Sequence, residues 1–357
     1  MKTILVTGGC GFIGSNFVRL LLQSNEWRVV NLDKLTYAGN LENLDGIGVE
    51  NYRFVRGDIA DRPLVERLLQ EESPWALVNF AAESHVDRSI LDASPFIQTN
   101  INGVQVLLDA VRCHPVSRFL QISTDEVYGD KEGKEASSEE APLVPSSPYA
   151  ATKAAADLLC FAYRRTYSLP ILITRSSNNY GPCQFPEKLI PLLIRNGLAG
   201  LKLPVYGDGG QIRDWLYVED NCRAILAVLE QGTPGSIYNI GTGEEQTNLE
   251  VVKGLCAVLA QEPGLDQEKL RESIQFVTDR PGHDRRYVLN SDKIRREIGW
   301  SPKTTFYAGL NRTVRWYLDH KDWVARVTSG EYRAYYEAVY SQAWGQSSSG
   351  GKTTAKG

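Results

Sequence analysis

The chain has 357 residues, of which 42% are apolar and 23% charged, with a formal net charge of −4. These values fit a folded globular protein and exclude a disordered, collagen-like or coiled-coil chain. The mild negative charge excludes bulk attraction to nucleic acid, but leaves room for a small polyanion met by a few placed cations and backbone amides.

At roughly 100–200 residues per domain, this length predicts two domains or one elaborated α/β unit. No run approaches the roughly 18–20 apolar residues of a membrane span. Met1–Thr7 reaches glycine too soon for a secretory leader. No membrane attachment and a cytoplasmic location are expected. The six cysteines, Cys10, Cys113, Cys160, Cys183, Cys222 and Cys256, are widely spaced without a CxxC. Reduced thiols and no metal site are expected.

In chain order, strand-like runs fall at Thr3–Val6, Val29–Leu32, Tyr52–Val55, Trp75–Phe80, Arg118–Ile122 and Ile171–Thr174. Helical periodicity falls between them, at Phe12–Gln23, Pro63–Gln70, Pro95–Arg112 and Tyr149–Tyr167. The alternation predicts a Rossmann-type doubly wound parallel sheet, whose ligands bind at the carboxyl ends of the strands. Tyr37–Gly48 and Asp130–Pro148 read as loops. Beyond Thr174 the segments shorten and prolines and glycines crowd in, although Val218–Glu230 (helix) and Ile237–Ile240 (strand) still resemble the first half. The expected division is a dinucleotide-binding domain over 1–177 and about 214–243, and a smaller, mixed α/β substrate-binding domain over 178–213 and about 244–345. The polar stretch 346–357 reads as a disordered tail.

Gly8, Gly11 and Gly14 are each three apart, directly after the first strand and at the opening of the first helix. Such glycines serve a tight turn, close approach of a pyrophosphate and helix–strand packing. Asp33 lies nineteen residues past Gly14. An acid there accepts hydrogen bonds from a ribose 2′-hydroxyl and repels a 2′-phosphate, which favours NAD over NADP. Asp58, after the third strand, is a candidate for the adenine amine or a simple loop acid. Tyr149 and Lys153 sit four apart at a helix start and so share a face. An ammonium beneath a phenol lowers its pKa and makes a general base. Just upstream, Thr124-Asp125-Glu126 closes a strand. A hydroxyl suits binding of a reacting oxygen, and the two carboxylates exceed what plain hydride transfer needs.

In these motifs the chain resembles the dTDP-glucose 4,6-dehydratases of the extended short-chain dehydrogenase/reductase superfamily, from about Lys2 to Gln342. The resemblance is carried by Leu32–Asn40, Phe80–Ser89, Thr124–Glu126, Tyr149–Lys153, Asn178–Pro182, Phe185–Pro191, Gln211–Trp215 and Asp279–Arg286. It implies a lyase that oxidises the sugar at C4, eliminates water across C5–C6 and reduces C6, with tightly bound, recycled NAD, in deoxysugar biosynthesis. It assigns Thr124, Asp125, Glu126, Tyr149 and Lys153 to catalysis. Asp125 is implied as the acid, Glu126 as the base at C5 and Tyr149 as the base at the 4-hydroxyl. Cofactor contacts are implied for Gly8, Gly11, Phe12, Ile13, Gly14, Asp33, Lys34, Thr36, Asp58, Ile59, Ala81, Ala82, Thr99, Tyr149, Lys153 and Asn179. Substrate contacts are implied for Ser84, Thr124, Asn178, Lys188, Leu189, Arg213, Asn248, Arg280 and His283. A homodimer is also implied, through helices 95–112 and 149–167. Asp130–Pro148 is short for the family. A nucleotide-sugar 4-epimerase shares the glycine loop and YxxxK but lacks the Asp125–Glu126 pair. A UDP- or CDP-hexose dehydratase stays open, because one methyl on the base contributes only about 1–3 kcal/mol of discrimination. A non-catalytic NAD-binding module would have no need of the five catalytic residues. The C-terminal aromatics from Trp316 to Trp344 read as packing residues.

Overall fold

A computed structural model describes residues 1–133 and 135–329. The expected disordered tail, 346–357, and the aromatics from Tyr332 to Trp344 lie outside these residues. The chain forms two compact units.

The first unit comprises Met1–Gln184, Ile212–Gln246 and Gly282–Gly309. Its centre is a seven-stranded parallel sheet. Six strands are β1 (Lys2–Thr7), β2 (Trp27–Asp33), β3 (Tyr52–Arg56), β4 (Ala76–Asn79), β5 (Arg118–Thr124) and β6 (Ile171–Ser176). The seventh is Ile237–Ile240. The order across the sheet is Ile237–Ile240, β6, β5, β4, β1, β2, β3. Strand order reverses at β1, which lies between β2 and β4, so a crevice opens at the carboxyl ends of β1 and β4. β1, β4 and Ile237–Ile240 are buried along nearly their whole length, as expected of a parallel sheet covered on both faces. One cover holds Phe17, Val18 and Leu21 of helix α1 (Phe12–Leu22) and Ile225, Val228 and Leu229 of helix Val218–Gln231. The other holds Val65, Leu68 and Leu69 of helix α2 (Arg62–Glu72), Leu107 and Val111 of helix Val104–Cys113, and Ala156 and Cys160 of helix Pro148–Tyr167.

The helix expected at Pro95–Arg112 is interrupted. Ile97–Gly103 is π-helical between Ser94–Phe96 and Val104–Cys113. The cause is Asn100 at its middle, whose side chain bonds away from the helix, to Glu83 and Thr152. Within the loop expected at Tyr37–Gly48, Leu41–Leu44 forms a 3₁₀ turn capped by Asn40, which accepts from the Glu42 amide.

The second unit comprises, among the described residues, Phe185–Gln211, Thr247–Pro281 and 310–329. Leu203–Tyr206 and Ile274–Val277 pair in parallel. Helix Leu189–Leu198 packs on helix Asn248–Leu259, which starts with a reciprocal Thr247–Glu250 capping box.

The division departs from the expected one at two places. Residues 178–184 join the first unit because Asn178–Tyr180 pairs in parallel with Ile212–Tyr217. Gly282–Gly309 joins it through single-residue bridges rather than a strand. The Ser137 amide donates to the Val288 carbonyl (3.0 Å) and Ile212 to Arg285 (2.8 Å), while Leu289 packs with Val127, Tyr128 and Ala154. Such bridges leave no periodicity to read.

Phe119, on β5, has no exposed surface. Phe119→Ala is expected to destabilise the protein by about 3–5 kcal/mol, read as a lower midpoint in urea denaturation.

Candidate active site

The crevice begins with backbone geometry. Gly8 has φ +70°, and a Cβ there would lie 2.5 Å from the Ala81 nitrogen; one on Gly14 would lie 2.2 Å from the Gly8 oxygen. Only glycine permits these approaches. Gly11 caps α1 with no side chain bonded to the first-turn amides, and no acid sits in that turn. Those amides therefore face outward as an anion site. Phe12 and Ile13 form the first turn and are half-buried. A polar ladder ties the neighbouring strand ends, Thr7 donating to Asn79 (2.5 Å) and Asn79 to Gln121 (2.8 Å).

Asp33 ends β2. Its carboxylate accepts from the Cys10 amide (2.9 Å) and the Leu35 amide (2.8 Å). Burial nevertheless pushes its pKa up. Lys34 forms an ion pair with Asp58 (2.6 Å). Burial raises the Asp58 pKa, but the bonds from Lys34 and the Ala60 amide outweigh it, and the net shift is downward. Thr36 is exposed. Ile59 is 3% exposed and is core as much as lining; a Cβ on Gly103 would strike its Cδ1 at 2.5 Å. Ala81 and Ala82 follow β4 and are half-buried, as is Thr99 in the π-helical turn; Ser84 is exposed. The neighbouring His85 caps helix Val86–Leu91, accepting from the Arg88 amide.

Asn179 donates to the Ser177 carbonyl (2.9 Å), while its buried Oδ1 has no hydrogen-bond partner among the described residues. A glycine cradle, outward helix amides, a strand-end acid and an orphan amide oxygen together fit a dinucleotide.

The reacting groups converge on the end of β5. Thr124 accepts from the Glu126 amide (3.3 Å) and so caps the 3₁₀ turn Asp125–Tyr128. Helix Pro148–Tyr167 starts with Ser147 as cap and Pro148 in its first turn. Ser89 accepts from the Tyr149 amide (3.1 Å), and Phe96 packs edge-on against the Tyr149 ring. The Thr124 hydroxyl donates to the Asp125 carboxyl (3.2 Å). Thr124, Asp125, Tyr149 and Lys153 are all buried and Glu126 half-buried.

Environment sets the protonation state of Asp125. Burial, then the neighbouring Glu126 charge, pushes Asp125 up to about 8, against the opposing field of Arg213 and a bond from Thr124. Asp125 is therefore an acid that holds its proton at neutral pH.

The Tyr149–Lys153 pair differs from its sequence reading. Burial, then Glu126, pushes the phenol pKa up, and the lysine is not what governs it. Lys153 Nζ donates to the Ile122 carbonyl (2.6 Å). Burial lowers its pKa to about 8.

Of the remaining candidates, Asn178, Arg213 and His283 belong to the first unit, and Lys188, Leu189, Asn248 and Arg280 to the second. Arg213 is 4% exposed. It donates to the Ile212 (2.7 Å) and Asp284 (2.9 Å) carbonyls and stacks 4.2 Å from the Tyr287 ring centroid. Its charge also acts on Asp125, opposing the upward push of burial on that carboxyl. Asn178 and His283 are half-buried. In the second unit, Lys188 precedes helix Leu189–Leu198, and both Lys188 and Leu189 are half-buried. Asn248 opens its helix and donates from its amide to the Gln211 carbonyl (2.9 Å). Arg280 is half-buried.

Sequence reasoning missed two residues here. Asn100 fixes Glu83 to Thr152 and so sets the turn after β4; its one signal was a poor helix former in mid-helix. Tyr287 donates to Asp284 (2.7 Å) beneath Arg213 and feels the Glu126 charge, and nothing in its sequence context marked it.

Fold and site define an extended short-chain dehydrogenase/reductase to which an acid–base pair has been added. Comparison with known proteins narrows that class. The model of the GDP-mannose 4,6 dehydratase family matches residues 5–313. A dTDP-glucose 4,6-dehydratase of Xanthomonas campestris is 54% identical over 93% of this chain and 98% of its own length. The solved dTDP-glucose 4,6-dehydratase of Streptomyces venezuelae, with NAD and a TDP ligand bound, is 48% identical with a TM-score of 0.85, over 91% of this chain and 99% of its own. A Thermotoga maritima UDP-glucose 4-epimerase aligns at 31% identity and a TM-score of 0.81, over 89% and 99%. The chain belongs to the dTDP-glucose 4,6-dehydratase family.

The Asp125 proton has a stability consequence. The folded protein keeps it up to about pH 8, whereas an ordinary Asp loses it near 3.8. Between those values the folded state binds more protons, so this group's contribution to stability falls as pH rises. Asp125→Asn removes that loss. Its thermal midpoint is expected to exceed the parent's by roughly 2–6 °C at about pH 8 and to match it at about pH 4, as calorimetry can measure.

Proposed function

We propose that the protein dehydrates dTDP-glucose to dTDP-4-keto-6-deoxyglucose, with tightly bound, recycled NAD, as a step in deoxysugar biosynthesis. The observation that carries this reading is the placement of Asp125, buried directly beside Glu126 at the end of β5, where both carboxyls act on Tyr149. Epimerisation at C4 needs no such pair.

When bound, NAD supplies the hydride acceptor at C4 and the donor at C6. The glycine turn, Asp33, Lys34, Thr36, Asp58, Ile59, Ala81, Ala82, Thr99 and Asn179 are proposed to hold it. Thr124 binds the sugar 4-oxygen and supports the Tyr149 phenolate, which takes the 4-hydroxyl proton. Protonation of Asp125 helps, because it removes one of the negative charges that raise the phenol pKa. The 4-keto group acidifies C5–H, and Glu126 takes that proton. Asp125 gives its proton to the departing 6-hydroxyl, which leaves as water. As hydride returns to C6, Glu126 gives its proton back to C5; the two electrons that left C4 are thereby returned, and no net oxidant is consumed. Ser84, Asn178, Lys188, Leu189, Arg213, Asn248, Arg280 and His283 are proposed to contact the nucleotide sugar, the cations meeting its diphosphate.

We further propose a homodimer through helices Val104–Cys113 and Pro148–Tyr167. Ile97, Leu158 and Tyr167 are 46%, 57% and 44% exposed along this region, an apolar surface suited to a second copy. No helix among the described residues is long and apolar enough to cross a membrane, and six unpaired cysteines suit a reducing cytoplasm.

Incubation with dTDP-glucose and no added NAD, followed by NMR of the sugar, tests the reading. A 4-keto-6-deoxy product is expected. Product from UDP- or CDP-glucose alone would overturn the substrate, a C4 epimer the reaction, and no turnover of any sugar the enzyme. In single turnover, Asp125→Asn is expected to oxidise C4 normally but release water at least ~100-fold more slowly. Loss of water at the parental rate would remove Asp125 as the acid.

A further inference from the structure

Tyr149, Lys153 and Asp157 follow one another at i, i+4 and i+8 along helix Pro148–Tyr167, and so form one line on its buried face. Asp157 has no exposed surface. Its Oδ2 accepts from Arg175 Nε (2.9 Å) and from the Ser123 hydroxyl (3.0 Å). Its Oδ1 is buried with no hydrogen-bond partner among the described residues. Arg175, 1% exposed, also donates to the Tyr128 hydroxyl (2.8 Å), which donates to Asn239 (2.9 Å). Three strand ends, a turn and the helix are thereby fixed around one carboxylate.

A buried ion pair is a poor way to stabilise a fold, since apolar residues of similar volume do as well or better. The three-residue line explains why it is here. Lys153 lies between the phenol and this carboxylate, its Nζ bonded to the Ile122 carbonyl. An ammonium so deeply buried loses its hydration and needs a counter-charge to remain an ammonium.

We infer that Asp157, clamped by Arg175 and Ser123, is a positioning residue that keeps Lys153 charged and oriented for the Tyr149 chemistry. The inference deepens the proposed function and rests on it.

Other groups do not fill this role. On the same helix Cys160 is pushed well up by burial and stays a neutral thiol, and Tyr149 is the group that Lys153 serves. On the turn after β5, Asp125 holds its proton. Glu126 is reserved for the substrate, and Arg175 of β6 is a cation. Asp157 is the foremost group holding the lysine pKa up against burial.

The pH profile of kcat reads this directly. Lys153 works as the ammonium, so activity is lost as pH rises through its pKa. Asp157→Asn, which keeps the shape and the Ser123 contact, lowers that pKa. Its alkaline limb is expected to move about one unit or more to lower pH. Its kcat at neutral pH is expected to fall about tenfold and to recover on acidification, with KM for dTDP-glucose little changed. Because this variant leaves Arg175 unpaired, the double variant Asp157→Asn/Arg175→Met restores charge balance and keeps the fold. The double variant is expected to show the same displaced limb. A parental limb and kcat in the double variant would overturn the inference and leave the pair merely structural. The parent enzyme, assayed alongside, separates that outcome from failure of the dehydratase reading itself.

Discussion

Desolvation at the carboxyl end of β5 is the constraint on which this structure turns. The strand delivers Thr124 and Asp125 into a buried place, and helix Pro148–Tyr167 brings Tyr149, Lys153 and Asp157 against it. Water is excluded, so every ionisable group must choose its neutral form or find a partner. Asp125 keeps its proton, and Asp157 takes Arg175 as partner. The different fates of these two aspartates follow from their surroundings rather than from unusual residues.

The phenol shows how one-sided a sequence reading of such a site can be. YxxxK spacing places the two side chains on one face, and the helix does so. What spacing cannot convey is the sum of charges around the phenol. Here burial and Glu126 raise its pKa, and the lysine bonds a main-chain carbonyl. Protonation of Asp125 thus serves two ends. It makes the acid, and it spares Tyr149 a second repelling charge.

The glycine turn and the acid at the end of β2 were legible because they are local. Gly8, Gly14 and Asp33 act through turn conformation and strand-end position, which neighbouring residues specify. The sheet was legible for the same reason, its strands being short apolar runs between helical periods. Gly282–Gly309 was not, because it joins the first unit through isolated bridges such as Ile212 with Arg286 and Ser137 with Leu289. The π-helical turn hid inside an apolar helical period, since only the partners of Asn100, 17 and 52 residues away, pull it out of register. Tyr287 and Asp157 stayed silent on the same ground. Their meaning lies in what folding places beside them.

Asp157 also shows why such silence has physical content. An aspartate in mid-helix is a weak helix former and a poor core residue. It is tolerated only where folding supplies cations, and two of them come from different directions. Arg175 arrives from a neighbouring strand, and Lys153 from one turn earlier on the same helix. With Asp157 charged, the trio carries a single net positive charge, and its end nearest Tyr149 is the lysine. Removing the carboxylate would leave two buried cations to repel each other, and the lysine, unlike arginine, can relieve that by losing its proton. The ion pair therefore protects the protonation state of its neighbour.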